Sequence, residues 1–313
     1  MKFGVLAGNF GTFGEEPGVD GCLAVADEAE RLGFDSVWVH DHIIMPSDVQ
    51  SKYPYNATGA SPFRVDQFIY DPITVMAAIA ARTSRVQIGT SVLVVPYRNP
   101  LVLAKELATV DRISHGRVVL GIGAGWMSEE FDALGIGEHY AHRGTMTDEW
   151  MAVCVNLWTQ SGPSSFKGRW VSYANIGANP LPVQKPHIPI WVGGKTPAAQ
   201  RRVARYGSGY HTITSTPGEV AAEVSHVRGL MERAGRDPDS LVVSMLWAGL
   251  GLSGKQQVID ALGEYARAGM HHLVGIPWLL NADGLMEMST HDRLKVQLEN
   301  MELFASDIRP ALT

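Results

Sequence analysis

Phe34-Asp35-Ser36-Val37-Trp38-Val39-His40-Asp41-His42 decides the fold. Its centre is a short β-branched run with almost no polar relief, as expected of a parallel strand covered on both faces. Just before it, Cys22-Leu23, Val25-Ala26, Ala29 and Leu32 recur at helical spacing, and Gly33 supplies a left-handed stop. Helix, glycine, strand and polar rim together make one unit of an α/β protein.

The unit repeats along the chain. Strands are expected at Phe3–Ala7, Ser36–His40, Val86–Gly89, Val118–Gly121, Ile188–Val192, Gly209–Ile213, Leu241–Leu246 and His272–Ile276. Asp71-Pro72, Asn99-Pro100, Thr196-Pro197 and Thr216-Pro217 each place a capping side chain before a proline at the first helical position. Glu219 stands at the capping-box distance from Thr216. Eight strand–helix alternations without a linker-like shift in composition predict one (β/α)₈ TIM barrel over residues 1–313. A doubly wound open sheet is the rival. Two segments break the rhythm and are expected as insertions at the C-terminal face. One spans about 41–70; the other spans about 161–189 and holds a small hairpin around Phe166–Val171.

Composition narrows the function. The 313 residues are 45% apolar, and 26 basic against 32 acidic side chains leave a net charge of −6. No Lys/Arg run and no long apolar span is present, so neither nucleic acid nor a membrane is the expected partner. Two distant cysteines, Cys22 and Cys154, cannot build a disulfide framework. With a strand opening the sequence at Phe3, a cytoplasmic location is expected.

In a barrel, chemistry sits at the carboxyl ends of the strands. Those ends deliver Phe10, His40-Asp41-His42, Thr90-Ser91-Val92, Gly123-Ala124-Gly125-Trp126, Gly193-Gly194-Lys195, Trp247 and Trp278. Glycines, aromatics and imidazoles suit a flat ring laid across the mouth. His40-Asp41-His42 admits three readings: a metal site, satisfied polar side chains, or a cofactor or substrate contact through Asp41 and His42. No metal is expected, since no acidic ligand stands at the end of the eighth strand. Gly121-Ile122-Gly123-Ala124-Gly125 lacks the G-x-G-x-x-G spacing of a dinucleotide fingerprint. Gly193-Gly194-Lys195-Thr196 fails as a Walker loop because Pro189 stands where its first glycine belongs, leaving a plausible phosphate seat.

Several segments together carry a resemblance. They are Phe34 to His42; Val86-Gln87-Ile88-Gly89-Thr90-Ser91-Val92-Leu93; Asn99-Pro100-Leu101-Val102-Leu103-Ala104-Lys105-Glu106; Leu120 to Trp126 with Glu129-Glu130-Phe131; and Pro189-Ile190-Trp191-Val192-Gly193-Gly194. In this collinear order the chain resembles the luciferase-like monooxygenase superfamily, in its coenzyme F420-dependent oxidoreductase branch. The resemblance implies a barrel binding F420, or FMN in sister groups, with Asp41 and His42 beside the ring. It implies a cis peptide at Ser91-Val92 behind the ring, and a phosphate tail at Gly193-Gly194.

The sequence also departs from the branch. Its sugar-phosphate and alcohol dehydrogenases carry a Glu two residues after the second Gly of the strand-four turn and a Trp shortly after Asp-His, and neither is matched here. Their substrates are therefore not carried over. Glu129 and Glu130 are expected to open a helix, where carboxylates favour the positive end of the dipole.

The expected activity is hydride transfer between F420 and an apolar small molecule; the alternative is an FMN-dependent monooxygenase. The expected catalytic residues are His42 and Asp41. Thr90, Ser91, Val92, Gly123, Gly125, Trp126, Gly193, Gly194 and Lys195 are expected at the cofactor, and Phe10, Tyr53, Tyr55, Trp247 and Trp278 around the substrate. The expected partners are a second copy in a homodimer and a flavin or F420 reductase that supplies the cofactor.

Overall fold

The computed structural model describes residues 1–213, 216–247, 254–275 and 288–312. The first half runs β1 (Lys2–Leu6), α1 (Gly18–Leu32), β2 (Ser36–Val39), α2 (Pro72–Arg82), β3 (Gln87–Thr90), β4 (Leu93–Val94), α3 (Pro100–Ile113) and β5 (Val118–Gly123). Next come α4 (Ser128–Ala133), α5 (Arg143–Thr159), β6 (Ser164–Lys167), β7 (Ser172–Ile176), β8 (Ile190–Gly193) and α6 (Pro197–Tyr206). The chain continues through β9 (Gly209–Ile213), α7 (Pro217–Arg233), β10 (Val242–Leu246), α8 (Lys255–Arg267), β11 (His272–Val274) and α9 (Thr290–Leu303).

Strands β3-β2-β1-β11-β10-β9-β8-β5 pair in that order, and β3 pairs with β5 to close the ring. The barrel pairings are parallel. The fold is therefore the (β/α)₈ barrel, and the open-sheet rival is excluded. All eight expected strands are present with ends moved by a residue or two; Ile276, at the end of the last, lies outside the described residues. The four capped helix starts form as the sequence predicts. Asp71, Asn99 and Thr196 each accept from an amide of the first turn, and Thr216 with Glu219 makes the capping box. Gly33 ends α1 at φ 72°. Residues 41–70 hold no helix or strand of their own, and 161–189 contain the β6–β7 antiparallel hairpin. Strand β4 was not anticipated; it adds to β5 beyond Thr90.

Strand alternation sorts the side chains into two layers. Val5, Val37, Val39, Ile88, Leu120, Ile190, Val243 and Leu273 face outward into the main core under the helices. Inside, Trp38 and Trp191 fill the barrel with ring centroids 5.2 Å apart, packed with Val119 and Val274. Two tryptophans fit there because the neighbouring strands offer glycine. A Cβ on Gly89 would lie 2.4 Å from Trp38, and one on Gly209 would lie 2.4 Å from Trp191. Above them His211 stacks on Trp38 at 4°, bonded to Ser91 Oγ at 2.8 Å and Ser244 Oγ at 2.9 Å. His272 is bonded to Ser36 Oγ at 2.7 Å. Burial lowers the pKa of both imidazoles to about 3, so the barrel is filled with neutral histidines.

No described helix is long and apolar enough to cross a membrane.

Candidate active site

The carboxyl end of β2 delivers the reactive side chains. Asn9 fixes it: its amide donates to the His40 carbonyl at 2.8 Å and its oxygen accepts the His40 amide at 2.9 Å. Beyond that clamp His40 and His42 point to one side and Asp41 to the other, as period-two geometry requires.

Asp41 and His42 prove to have different carboxylate and cation partners. Asp41 takes a two-pronged ion pair from Arg98, at 2.7 and 2.9 Å, and the Val94 amide at 2.8 Å. Burial pushes the Asp41 carboxyl up, while Arg98 and the Val94 amide pull it back towards the ionised form. Burial also opposes the charge on Arg98, but Asp41 and Asp71 outweigh it and raise its pKa. This pair ties the end of β2 to the segment after β4. It does not orient His42.

The orienting carboxylate is Glu130. His42 Nδ1–H donates to Glu130 Oε2 at 2.7 Å, and the Tyr97 hydroxyl donates to the same oxygen at 2.7 Å. The other oxygen accepts the amides of Ile43 at 2.6 Å and Ile44 at 3.3 Å. Glu130 has no exposed surface. Burial acts to raise its pKa, but the bonds from His42, the Ile43 amide and Tyr97 hold the carboxyl below the usual range. A carboxylate on Nδ1 leaves Nε2 of neutral His42 as a proton acceptor. Neighbouring Glu129 accepts the amides of Gln50 and Ser51 at 2.7 and 2.9 Å, so α4 grips the first insertion at two points. Both glutamates stand in the first turn of α4, as the sequence predicts, but Glu130 also enters the site, which its position in the sequence does not show.

Aromatic rings wall His42. Phe10 stacks on it at 5.3 Å and Trp126 meets it edge-on at 6.3 Å. Phe63, from the first insertion, lies 5.3 Å from His42 and 4.8 Å from Phe10. Tyr53 packs on Trp126 at 5.2 Å, while Tyr55 touches Tyr53 and stays exposed. Trp247 has its ring 6.1 Å from Tyr265 of α8, and Trp278 lies outside the described residues.

Across the mouth, the Ser91–Val92 peptide is cis. Val92 packs against β5 and β8, where a Cβ on Gly123 or Gly193 would come within 2.7 or 2.8 Å of its methyl groups. Thr90 points away from this floor and donates to the Gly121 carbonyl at 2.6 Å. Gly125 turns the chain at φ 81° and Gly194 at φ 99°. Lys195, after that second turn, stands 4.0 Å from Glu223. Among the described residues no group of three or more His, Cys, Asp or Glu is arranged to hold a metal ion.

Comparison with known proteins places this geometry. Residues 1–248 match the family model for the luciferase-like monooxygenases, and the chain belongs to that family. It is 32% identical over 260 residues to an uncharacterised protein of Mycobacterium tuberculosis, covering 81% of this chain and 86% of the relative. It is also 32% identical to an F420-dependent glucose-6-phosphate dehydrogenase of Amycolatopsis mediterranei, over 63% of this chain and 54% of that one. An FMNH₂-dependent dimethylsulfone monooxygenase of Pseudomonas putida matches at 29% over 51% of this chain and 44% of its own. The solved structure of an F420-dependent secondary alcohol dehydrogenase shares the fold with a TM-score of 0.76 at 21% identity, covering 100% of this chain and 99% of that one. The chain is thus an enzyme-family barrel whose relatives use F420 or FMN.

Proposed function

We propose that this chain is an F420-dependent oxidoreductase that moves a hydride between the deazaflavin and an apolar small molecule, with His42 giving or taking the accompanying proton. The observation that carries the reading is the Glu130–His42 pair at 2.7 Å in the barrel mouth. A buried carboxylate on Nδ1 fixes the tautomer and stabilises the imidazolium, which is what a proton-transfer group beside a hydride carrier requires.

The residues fit a flat ring. Val92, backed by Gly123 and Gly193, offers an apolar floor without side chains rising beside it. Ser91, Val92 and Trp126 would hold the ring, and the Gly193-Gly194 turn with Lys195, before the N-terminus of α6, would hold a phosphate. When bound, a deazaflavin supplies hydride transfer without ready oxygen activation, because carbon replaces the flavin N5. The chain's own part is positioning, exclusion of water by Phe10, Phe63 and Trp126, and the proton at His42.

Equilibrium titration with F420 and FMN tests the cofactor assignment. The expected result is F420 binding at least about tenfold tighter than FMN, a difference of about 1.4 kcal/mol. The reverse preference would replace this reading with an FMN-dependent monooxygenase fed by a reductase, the activity type of the P. putida relative. His42→Ala is expected to keep cofactor binding while turnover falls about a hundredfold or more; unchanged turnover would remove His42 from the chemistry.

A further inference from the structure

His40 is left over by this account. Its ring points into the mouth two residues before His42, and both rings meet Phe10, at 6.4 and 5.3 Å. Its Nδ1 lies 2.7 Å from the Ser91 carbonyl. A carbonyl only accepts, so Nδ1 carries the proton and Nε2 of the neutral ring carries a lone pair. The same logic applies to His42, whose Nδ1 faces a carboxylate. Neither Nε2 has a partner among the described residues. Neither is among the sealed, unsatisfied atoms, which there are Glu129 Oε2, Ser164 Oγ and Arg228 Nε.

The two rings differ in what backs them. A carboxylate, Glu130, stands behind His42 at 2.7 Å; a neutral carbonyl, that of Ser91, stands behind His40. Burial and the nearby His42 lower the pKa of His40 despite its bond to Ser91. The mouth thus combines one imidazole backed by a carboxylate with one backed by a neutral carbonyl, beside Phe10, Phe63 and Trp126.

We infer that His40 is a substrate-binding residue whose Nε2 accepts a hydrogen bond, so that the site selects molecules with an aromatic or other apolar body bearing a hydroxyl or N–H donor. The inference rests on the barrel mouth being the substrate site, as proposed above, but not on which cofactor it uses. A hydroxyl placed on His40 would leave His42 free for the proton that moves.

The test uses three probes on the full chain, with and without F420: naphthol, its methyl ether and bare naphthalene. Naphthol is expected to bind about tenfold tighter than either other probe, the effect of one well-made hydrogen bond in a partly dry site. His40→Leu should abolish that preference while leaving the affinity for the methyl ether within about twofold of the wild type. Nitrogen NMR of the unmodified protein should show His40 as the neutral Nδ1–H tautomer, which needs no variant to fold. Equal binding of the three probes, binding of none, a preference that survives in His40→Leu, or a proton on Nε2 of His40 would each overturn the proposal. An FMN preference in the cofactor titration would leave the probe result standing, so the two readings fail separately.

Discussion

Glu130 and His42 lie 88 residues apart in sequence and 2.7 Å apart in the site. The glutamate sits in the first turn of α4, and the histidine follows β2. With Tyr97 and two backbone amides on the same carboxylate, the imidazole has one orientation and one tautomer.

Replacing Glu130 by Gln tests that relationship. The amide keeps an oxygen for Ile43 but presents N–H to Nδ1, which then accepts and moves the ring proton to Nε2. Turnover is expected to fall about a hundredfold or more, with a changed pH profile and little change in cofactor affinity. Steady-state kinetics across pH, with a melting curve to confirm folding, would check it.

Arg98 and Asp41 form the second buried pair, and here the effect expected is on stability. Arg98→Ala strands the Asp41 carboxylate and should cost about 3–5 kcal/mol. Removing both charges in Asp41→Asn with Arg98→Met should cost less than Arg98→Ala alone. Denaturant unfolding of the variants checks this; a double variant that costs as much as Arg98→Ala alone, or more, would contradict it.

His211 and His272 make stability depend on mild acid. Their folded pKa values, near 3, lie below the ordinary 6.5. The unfolded chain therefore binds more protons between those values, and stability rises with pH there. Full stability is expected above about pH 6.5, with a loss of about 3 kcal/mol per histidine by about pH 4.5. Glu130 and Glu30, whose pKa values are lowered from 4.5, add their losses only below that. Urea midpoints measured across the range would show the decline beginning near neutrality; a flat curve down to pH 4.5 would contradict it.

The glycines inside the barrel are expected to resist even a methyl group. Gly89→Ala would press on Trp38 and Gly209→Ala on Trp191, each from 2.4 Å. Overpacking of this kind costs about 1–3 kcal/mol, and more where a rigid indole cannot yield. Gly162→Ala, whose Cβ would meet nothing within 4 Å, is the control.

The parts of this molecule written in local pattern could be read directly. Apolar runs marked the strands, and proline after a capping residue marked helix starts. Their number implied a closed ring. The strand ends then named His42, Trp126 and Phe10, which do come together. Phe63 stood in view within the first insertion, but nothing local showed that its ring reaches His42. Glu130 was harder still. An acidic residue in a helix's first turn reads as a solvated dipole partner, and only the placement of α4 beside the segment after β2 turns it inward. Arg98, one residue before the Asn99 cap, likewise looks like a loop cation until β4 carries it to Asp41. Gly89 and Gly209 weaken any strand reading, and their purpose appears only once Trp38 and Trp191 are seen to fill the axis.

A crystal structure of the full chain grown with F420 would show directly where the ring lies. The deazaflavin is expected in the barrel mouth over Val92, with His42 Nε2 facing its open side and Nδ1 still bonded to Glu130. A ring bound elsewhere, or His42 turned away from it with the Glu130 bond broken, would remove His42 from the chemistry.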